Sequence, residues 1–164
     1  MKLFKILILF ISITSTAQKS VQDVLEKYNS HSIPYISVEQ LKAIQQKDSV
    51  ILLDAREPEE FQVSHLKNAK YVGFKNFSSE EIQQQFPDKN QPIVVYCSLG
   101  VRSEKIGEKL QKLGYKNIQN LYGGIFEWTN NYYPVYNSTN KETDTVHAFN
   151  KKWSKWLKNA EKVY

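Results

Sequence analysis

The 164-residue chain contains one cysteine, and its surroundings equip it for chemistry. Cys97 opens the run Cys97-Ser98-Leu99-Gly100-Val101-Arg102-Ser103, directly after the apolar stretch Ile93-Val94-Val95-Tyr96. Continuous apolar runs of this length are typical of strands buried on both faces. Beyond the loop, Ile106, Leu110 and Leu113 mark a helix over residues 102–113, with Gly114 at its exit. Cys97 therefore belongs where a buried strand hands over to a helix. In parallel α/β sheets that is where ligands bind. Helix N-termini and successive backbone amides favour anions and lower the pKa of a thiol placed among them. Gly100 lets the loop turn with its amides inward, and Arg102 adds a fixed positive charge. Such a pocket stabilises a thiolate and an anionic group bonded to it. An inert buried cysteine is the rival reading, and the Gly and Arg spacing argues against it.

The start of the chain bears on that thiol. Lys2 and Lys5 precede an apolar run, Ile6 to Ile13, broken only by Ser12, and Ser15-Thr16-Ala17 follow with the small residues of a cleavage site. This pattern reads as a signal peptide over residues 1–17, too short to span a bilayer, so the mature chain is expected in the periplasm or the medium. No disulfide can form within a chain of one cysteine, so the fold must rest on its core. A free thiol in an oxidising compartment must be buried or used. Without Lys2 and Lys5 the net charge falls from +5 to +3. No run of basic residues interleaved with aromatics precedes residue 150, so nucleic acid is not an expected partner.

The elements that must position the loop alternate between strand and helix. Val21, Val24, Leu25 and Tyr28 predict a helix in an N-terminal extension, residues 18–35. Ser37 and Gln40 form a capping-box pattern before a helix over 38–46. Val50-Ile51-Leu52-Leu53 reads as a second buried strand, and Glu57-Pro58-Glu59-Glu60 as a helix start. A short strand over 69–72, a helix over 78–86, a strand over 117–121 and a helix from Gly123-Gly124 complete the series. The class is α/β, a central parallel sheet with helices on both faces, over residues 36–136. Residues 137–145, rich in Asn, Ser, Thr and charge, read as a linker within a tail of 137–164. Val146, Phe149, Trp153, Trp156, Ala160 and Val163 then trace one apolar stripe of a C-terminal amphipathic helix, with lysines off the stripe. Membrane contact by that helix is not expected.

Four segments resemble the rhodanese family. Leu52 to Phe61 is similar to its N-terminal signature, and Ser64-His65-Leu66-Lys67-Asn68-Ala69 to the Gly-His-Ile-x-Gly-Ala element that follows. Tyr96 to Ser103 resembles the active-site loop, and Leu121-Tyr122-Gly123-Gly124-Ile125-Phe126-Glu127-Trp128 the closing signature. The resemblance spans residues 36–135 and implies a single rhodanese domain with catalytic Cys97. Cys97 would take the outer sulfur of an anionic donor such as thiosulfate and pass it from a persulfide to cyanide or a thiol. A protein thiol is a further acceptor. Residues Ser98, Leu99, Gly100, Val101, Arg102 and Ser103 would hold the persulfide and the donor, with Arg102 contacting the anion. Asp54 and Arg56 would orient the loop through hydrogen bonds. No cofactor and no metal are required.

Departures from the pattern are local. Ser64, Lys67 and Asn68 replace its Gly, Pro and Gly, and Tyr132 stands where it often has Gly before the pair Pro134-Val135. Ser98 and Leu99 lack the extra basic residue of some thiosulfate users. His65 is expected to satisfy backbone groups in a turn, and Trp128 to lie in the core. Two other readings share the resemblance: a non-catalytic rhodanese-like module, which usually lacks the cysteine, and a carrier that delivers sulfur to a protein. A cysteine phosphatase or arsenate reductase needs one more residue between Cys and Arg to wrap a tetrahedral oxyanion.

Overall fold

Val94 and Tyr96 project to one side of β4 (Ile93–Tyr96), Ile93 and Val95 to the other, and all four are buried. Both faces of this strand must therefore be covered, and the helices do it. The computed structural model describes residues 20–45 and 50–164, so the signal-peptide segment, 1–17, lies outside the described residues. β1 (Tyr35–Ile36), β2 (Ile51–Asp54), β3 (Lys70–Tyr71), β4 and β5 (Ile118–Leu121) form one sheet in the order β1-β5-β4-β2-β3, with every neighbouring pair parallel. On one face α1 (Val21–Tyr28), α2 (Val38–Gln45) and α6 (Gly124–Asn130) bury Val24, Leu41, Phe126 and Trp128 against Leu52 and Val94. On the other, α4 (Ser79–Gln85) and α5 (Val101–Lys112) bury Ile82, Ile106 and Leu110 against Leu53 and Val95. α3 (Pro58–Val63) begins at Pro58, with a capping box between Glu57 and Glu60. β4 is central, so the residue after it opens at the middle of the sheet's carboxyl edge.

The tail differs from the expected linker and helix. Residues 135–143 form a hairpin of β6 (Val135–Tyr136) and β7 (Glu142–Thr143), tied by Asn137, whose side-chain oxygen accepts from the amides of Thr139 and Lys141. No helix spans 146–163. β8 (Thr145–His147) and β9 (Glu161–Val163) pair in parallel, separated by a 3₁₀ turn over Ser154–Trp156. The physical reason is local competition by side-chain hydrogen bonds. Phe149 adopts a left-handed φ of 64°, and Asn150 caps the next turn by accepting from the amides of Lys152 and Trp153. Asn130 on α6 captures the amides of Lys158 and Asn159. A continuous helix would separate Val146 from Val163 by about 25 Å; here they lie on adjacent strands, and Val146, Trp156 and Leu157 enter the core. The three-and-four spacing was that of successive turns.

Two of the departures from the family pattern carry backbone strain. Asn68 has φ of 63° and Tyr132 φ of 60°, the conformation glycine supplies at these places in the pattern. Asn tolerates it through its short polar side chain, whereas tyrosine has no such compensation. The Tyr132 ring is 84% exposed and gains little from packing. Relief of strain of about 1–2 kcal/mol exceeds glycine's extra unfolded-state entropy of about 0.5–1 kcal/mol. Tyr132→Gly is thus expected to stabilise the fold by about 1 kcal/mol and raise the melting midpoint by about 3 °C in a thermal scan. A lowered midpoint would show that the ring matters more than the backbone.

Candidate active site

Cys97 leaves β4 at the carboxyl edge and is buried. The chain must then reverse its amide direction to enter α5 at Val101. Gly100 permits this with φ of 114°, and a side chain there would also meet Leu25 and the Leu121 carbonyl. Its amide donates to Cys97 Sγ at 3.1 Å, and its carbonyl is fixed from outside by the amide groups of Asn29 and Asn120 at 2.9 and 2.8 Å. Gly124 serves the other side of the loop. A Cβ on it would collide with the Cys97 carbonyl and Ser98, and the close approach lets Ile125 and Phe126 donate to the carbonyls of Cys97 and Ser98. With the carbonyls of Cys97, Ser98 and Gly100 bound outside, the amides of Gly100 and Ser103 are left toward the sulfur. Ser103, one turn into α5, places Oγ 3.5 Å from Sγ and 2.7 Å from Asn120 Oδ1.

Opposing effects act on the thiol. Burial pushes its pKa up, and the Arg102 charge with hydrogen bonds from Ser103 and Gly100 outweighs it, so the value lies below that of an ordinary cysteine. Arg102 itself is bound. Its fork donates to both Glu60 oxygens at 2.6 and 2.8 Å and to Ser98 Oγ at 3.0 Å, while the Ser98 hydroxyl donates to Glu60 at 3.0 Å. Burial raises the Glu60 pKa, but Arg102 and then Arg56 outweigh it and keep the carboxylate ionised below its usual range. The ring of Phe149 lies 4.8 Å from the guanidinium. Arg102 therefore lends its charge to the loop while its hydrogen bonds serve Glu60 and Ser98.

The predicted site residues divide in two. Cys97, Ser98, Leu99, Val101 and Arg102 line one cavity of about 130 Å³. Gly100 and Ser103 lie beneath the sulfur, off the lining. Asp54 and Arg56 do not reach the loop's side chains. They form a buried ion pair at 2.7 Å, and Arg56 donates to the Ser64 carbonyl, which holds the turn after α3. Arg56 acts on the loop through its charge on Glu60, and just past β2 the Ala55 amide donates to the Tyr96 carbonyl beside Cys97. His65 bonds backbone groups of Tyr136 and Phe61, and Trp128 is core, as expected. Nothing local marks Glu60 as more than a helix starter, because three acids in one short run hide the one that turns inward. Asn120 could have been found: a carboxamide in a buried strand must serve polar partners. Tyr28, Phe149 and Trp153, which complete the cavity wall, come from the two chain ends and have no local signature.

This strand, loop and helix are what the family comparison matches. Residues 37–131 match the rhodanese-like domain. The chain belongs to that family. It is 32% identical over 91 residues to a tRNA uridine(34) hydroxylase of Cytophaga hutchinsonii, covering 54% of this chain and 29% of that one. It is 35% identical over 91 residues to the adenylyltransferase and sulfurtransferase UBA4 of Candida albicans, covering 52% and 21%. The chain thus spans less than a third of either relative. Among solved structures, a thiosulfate sulfurtransferase from Pseudomonas aeruginosa superposes with a TM-score of 0.61 at 18% identity, over 84% of this chain and 25% of that one. A rhodanese-related protein from Thermoplasma volcanium gives 0.50 at 27% identity, over 62% and 96%. The rhodanese-like fold and family are thereby established.

Proposed function

We propose that this rhodanese-like chain is a sulfurtransferase whose Cys97 carries the sulfur. The observation that carries the reading is the sulfur's position: Sγ ends the central strand, accepts from the Gly100 amide and sits on the floor of a cavity. The Cys97 thiolate attacks the outer sulfur of a donor such as thiosulfate. The S–S bond of the donor breaks, its electron pair leaves with sulfite, and Cys97 becomes a persulfide anion. The inward amides hold the outer sulfur's charge. A thiolate or cyanide then attacks that sulfur, and the electron pair of the breaking bond returns to Cys97 as thiolate. Incubation with thiosulfate should add the mass of one sulfur atom to the peptide containing Cys97, and later cyanide should remove it as thiocyanate. A protein that never gains that mass would defeat the proposal.

Export belongs to the same reading, supported by Lys2 and Lys5, the apolar run and Ser15-Thr16-Ala17. N-terminal sequencing of the protein from its native host should read Gln18 first. An intact Met1 start recovered from the cytoplasm would exclude export.

A further inference from the structure

The cavity above Cys97 is lined by aromatic rings that a thiosulfate site does not need. Tyr28 comes from α1, and Phe149 and Trp153 from the segment between β8 and the 3₁₀ turn; Leu99 and Val101 complete the apolar wall. All three aromatics lie outside residues 37–131, so the chain ends add this wall to the rhodanese-like domain. The rings are held in place. Trp153 packs on Trp156 with ring centroids 5.2 Å apart and on Tyr28 at 5.9 Å. Phe149 keeps its ring over Arg102 at 4.8 Å with its backbone in the left-handed region, where a side chain persists only if the surroundings require it. Tyr28 and Phe149 nonetheless stay 43% and 42% exposed, so each presents apolar surface that the described residues leave uncovered.

Charge points the same way. Among the described residues Arg102 is the one cationic residue on the lining, and its fork is taken by Glu60 and Ser98 while Phe149 covers its face. The tail of an acceptor meets no free cation on this lining, so a charged tail gains little from leaving water. An apolar group loses nothing by the same transfer. Volume fits as well: an apolar cavity of about 150 Å³ holds a benzene ring, and this one measures about 130 Å³ and opens to solvent.

The geometry points to a low-molecular-weight thiol bearing an apolar ring as the sulfur partner of Cys97, with Tyr28, Phe149 and Trp153 setting that specificity. The inference rests on the sulfurtransferase reading and names its acceptor class. In the transfer, the Cys97 persulfide anion first takes a proton from solvent, and the acceptor thiolate RS⁻ then attacks the outer sulfur of Cys97–S–SH. The bond between the two sulfurs breaks, its electron pair stays on Cys97 as thiolate, and the product is the hydropersulfide RSSH. No other reactant is consumed. The step is reversible, so the same pocket takes such a hydropersulfide as donor.

The test uses phenylmethanethiol and 2-mercaptoethanol, whose thiols ionise alike, so that only the ring differs. The full mature chain is first loaded with thiosulfate, and loading is read by mass. Transfer from the loaded protein to each thiol, and to cyanide as a ringless control, is then followed as loss of that mass and appearance of product. Phenylmethanethiol should react with kcat/KM about tenfold above 2-mercaptoethanol, the effect of partly burying one ring. In Phe149→Ala and Trp153→Ala the ratio of phenylmethanethiol to cyanide transfer should fall about fivefold to tenfold, with folding checked by thermal scan. If Trp153→Ala does not fold, Tyr28→Ala on the separate helix α1 takes its place. Equal kcat/KM for the two thiols overturns the inference and leaves the sulfurtransferase reading standing. A ring preference that survives every aromatic substitution overturns the assignment to this wall. Failure of Cys97 to load defeats the sulfurtransferase reading itself, and the inference with it.

Discussion

Replacing Cys97 by serine is expected to abolish sulfur transfer from thiosulfate to cyanide, with a loss on the order of 10⁴-fold or more, the scale of deleting a nucleophile. The chain has one cysteine and one methionine, Met1, so no second residue can form a persulfide. A serine hydroxyl stays protonated in this loop and forms no sulfur–sulfur bond. The fold should survive, because Cys97→Ser keeps the size of the side chain and its oxygen can accept from the Gly100 amide that now meets sulfur at 3.1 Å. Thermal scans should therefore place the variant within a few degrees of the parent near neutral pH. A second signature follows from proton linkage. The folded thiol ionises below the unfolded one, so the parent gains stability as pH rises from the folded value through about 8.5, and loses it as pH falls through the folded value. Cys97→Ser should lack that rise. A folded Cys97→Ser protein with substantial turnover would reject Cys97 as the carrier.

Opposite changes in the Arg102–Glu60 pair should move the thiol in opposite directions. Arg102→Ala removes the positive charge that most strongly lowers the Cys97 pKa and leaves the Glu60 carboxylate buried without its partner. The thiol should then ionise at higher pH, and kcat/KM should fall about ten- to a hundredfold, equivalent to ~1.5–3 kcal/mol. Stability should drop too, by about 2–4 kcal/mol, somewhat less than for a fully buried pair, since the Arg102 side chain is 15% exposed. Arg102→Lys should rescue only in part, because an ammonium lacks the planar fork that binds both Glu60 oxygens and Ser98. Glu60→Gln keeps the acceptor shape and removes the negative charge, so Arg102 acts on Cys97 unopposed and the thiol should ionise at lower pH. The pH dependence of iodoacetamide alkylation reads all three. A downward shift in Arg102→Ala would refute the electrostatic role of the pair.

Much of this was legible in the primary structure because it depends on neighbours in the chain. Ile93 to Tyr96 must be a buried strand, since four successive apolar residues leave neither face for water. The loop after it follows from Gly100, and the place of Cys97 at the sheet's carboxyl edge follows from the strand. Apart from β1 (Tyr35–Ile36), whose two residues are too few to carry a period, the order of strands and helices from Val21 to Asn130 is legible for the same reason: periodicity and caps are local signals. By contrast, the fate of residues 146–163 depended on which surface each aromatic could reach. A spacing of three and four fits a helix and a chain of turns equally, and Asn130, 28 residues before Lys158, decided between them by binding Lys158 and Asn159. The partner of Arg102 was likewise settled by tertiary structure, because Glu60 arrives from α3, forty-two residues earlier in the chain. So was the aromatic wall above Cys97, where Tyr28, Phe149 and Trp153 meet from opposite ends of the sequence. Local residues determined a buried thiol and the loop that lowers its pKa. Packing between distant segments decided which molecules can reach it, because a cavity is made by surfaces that only the folded chain brings together.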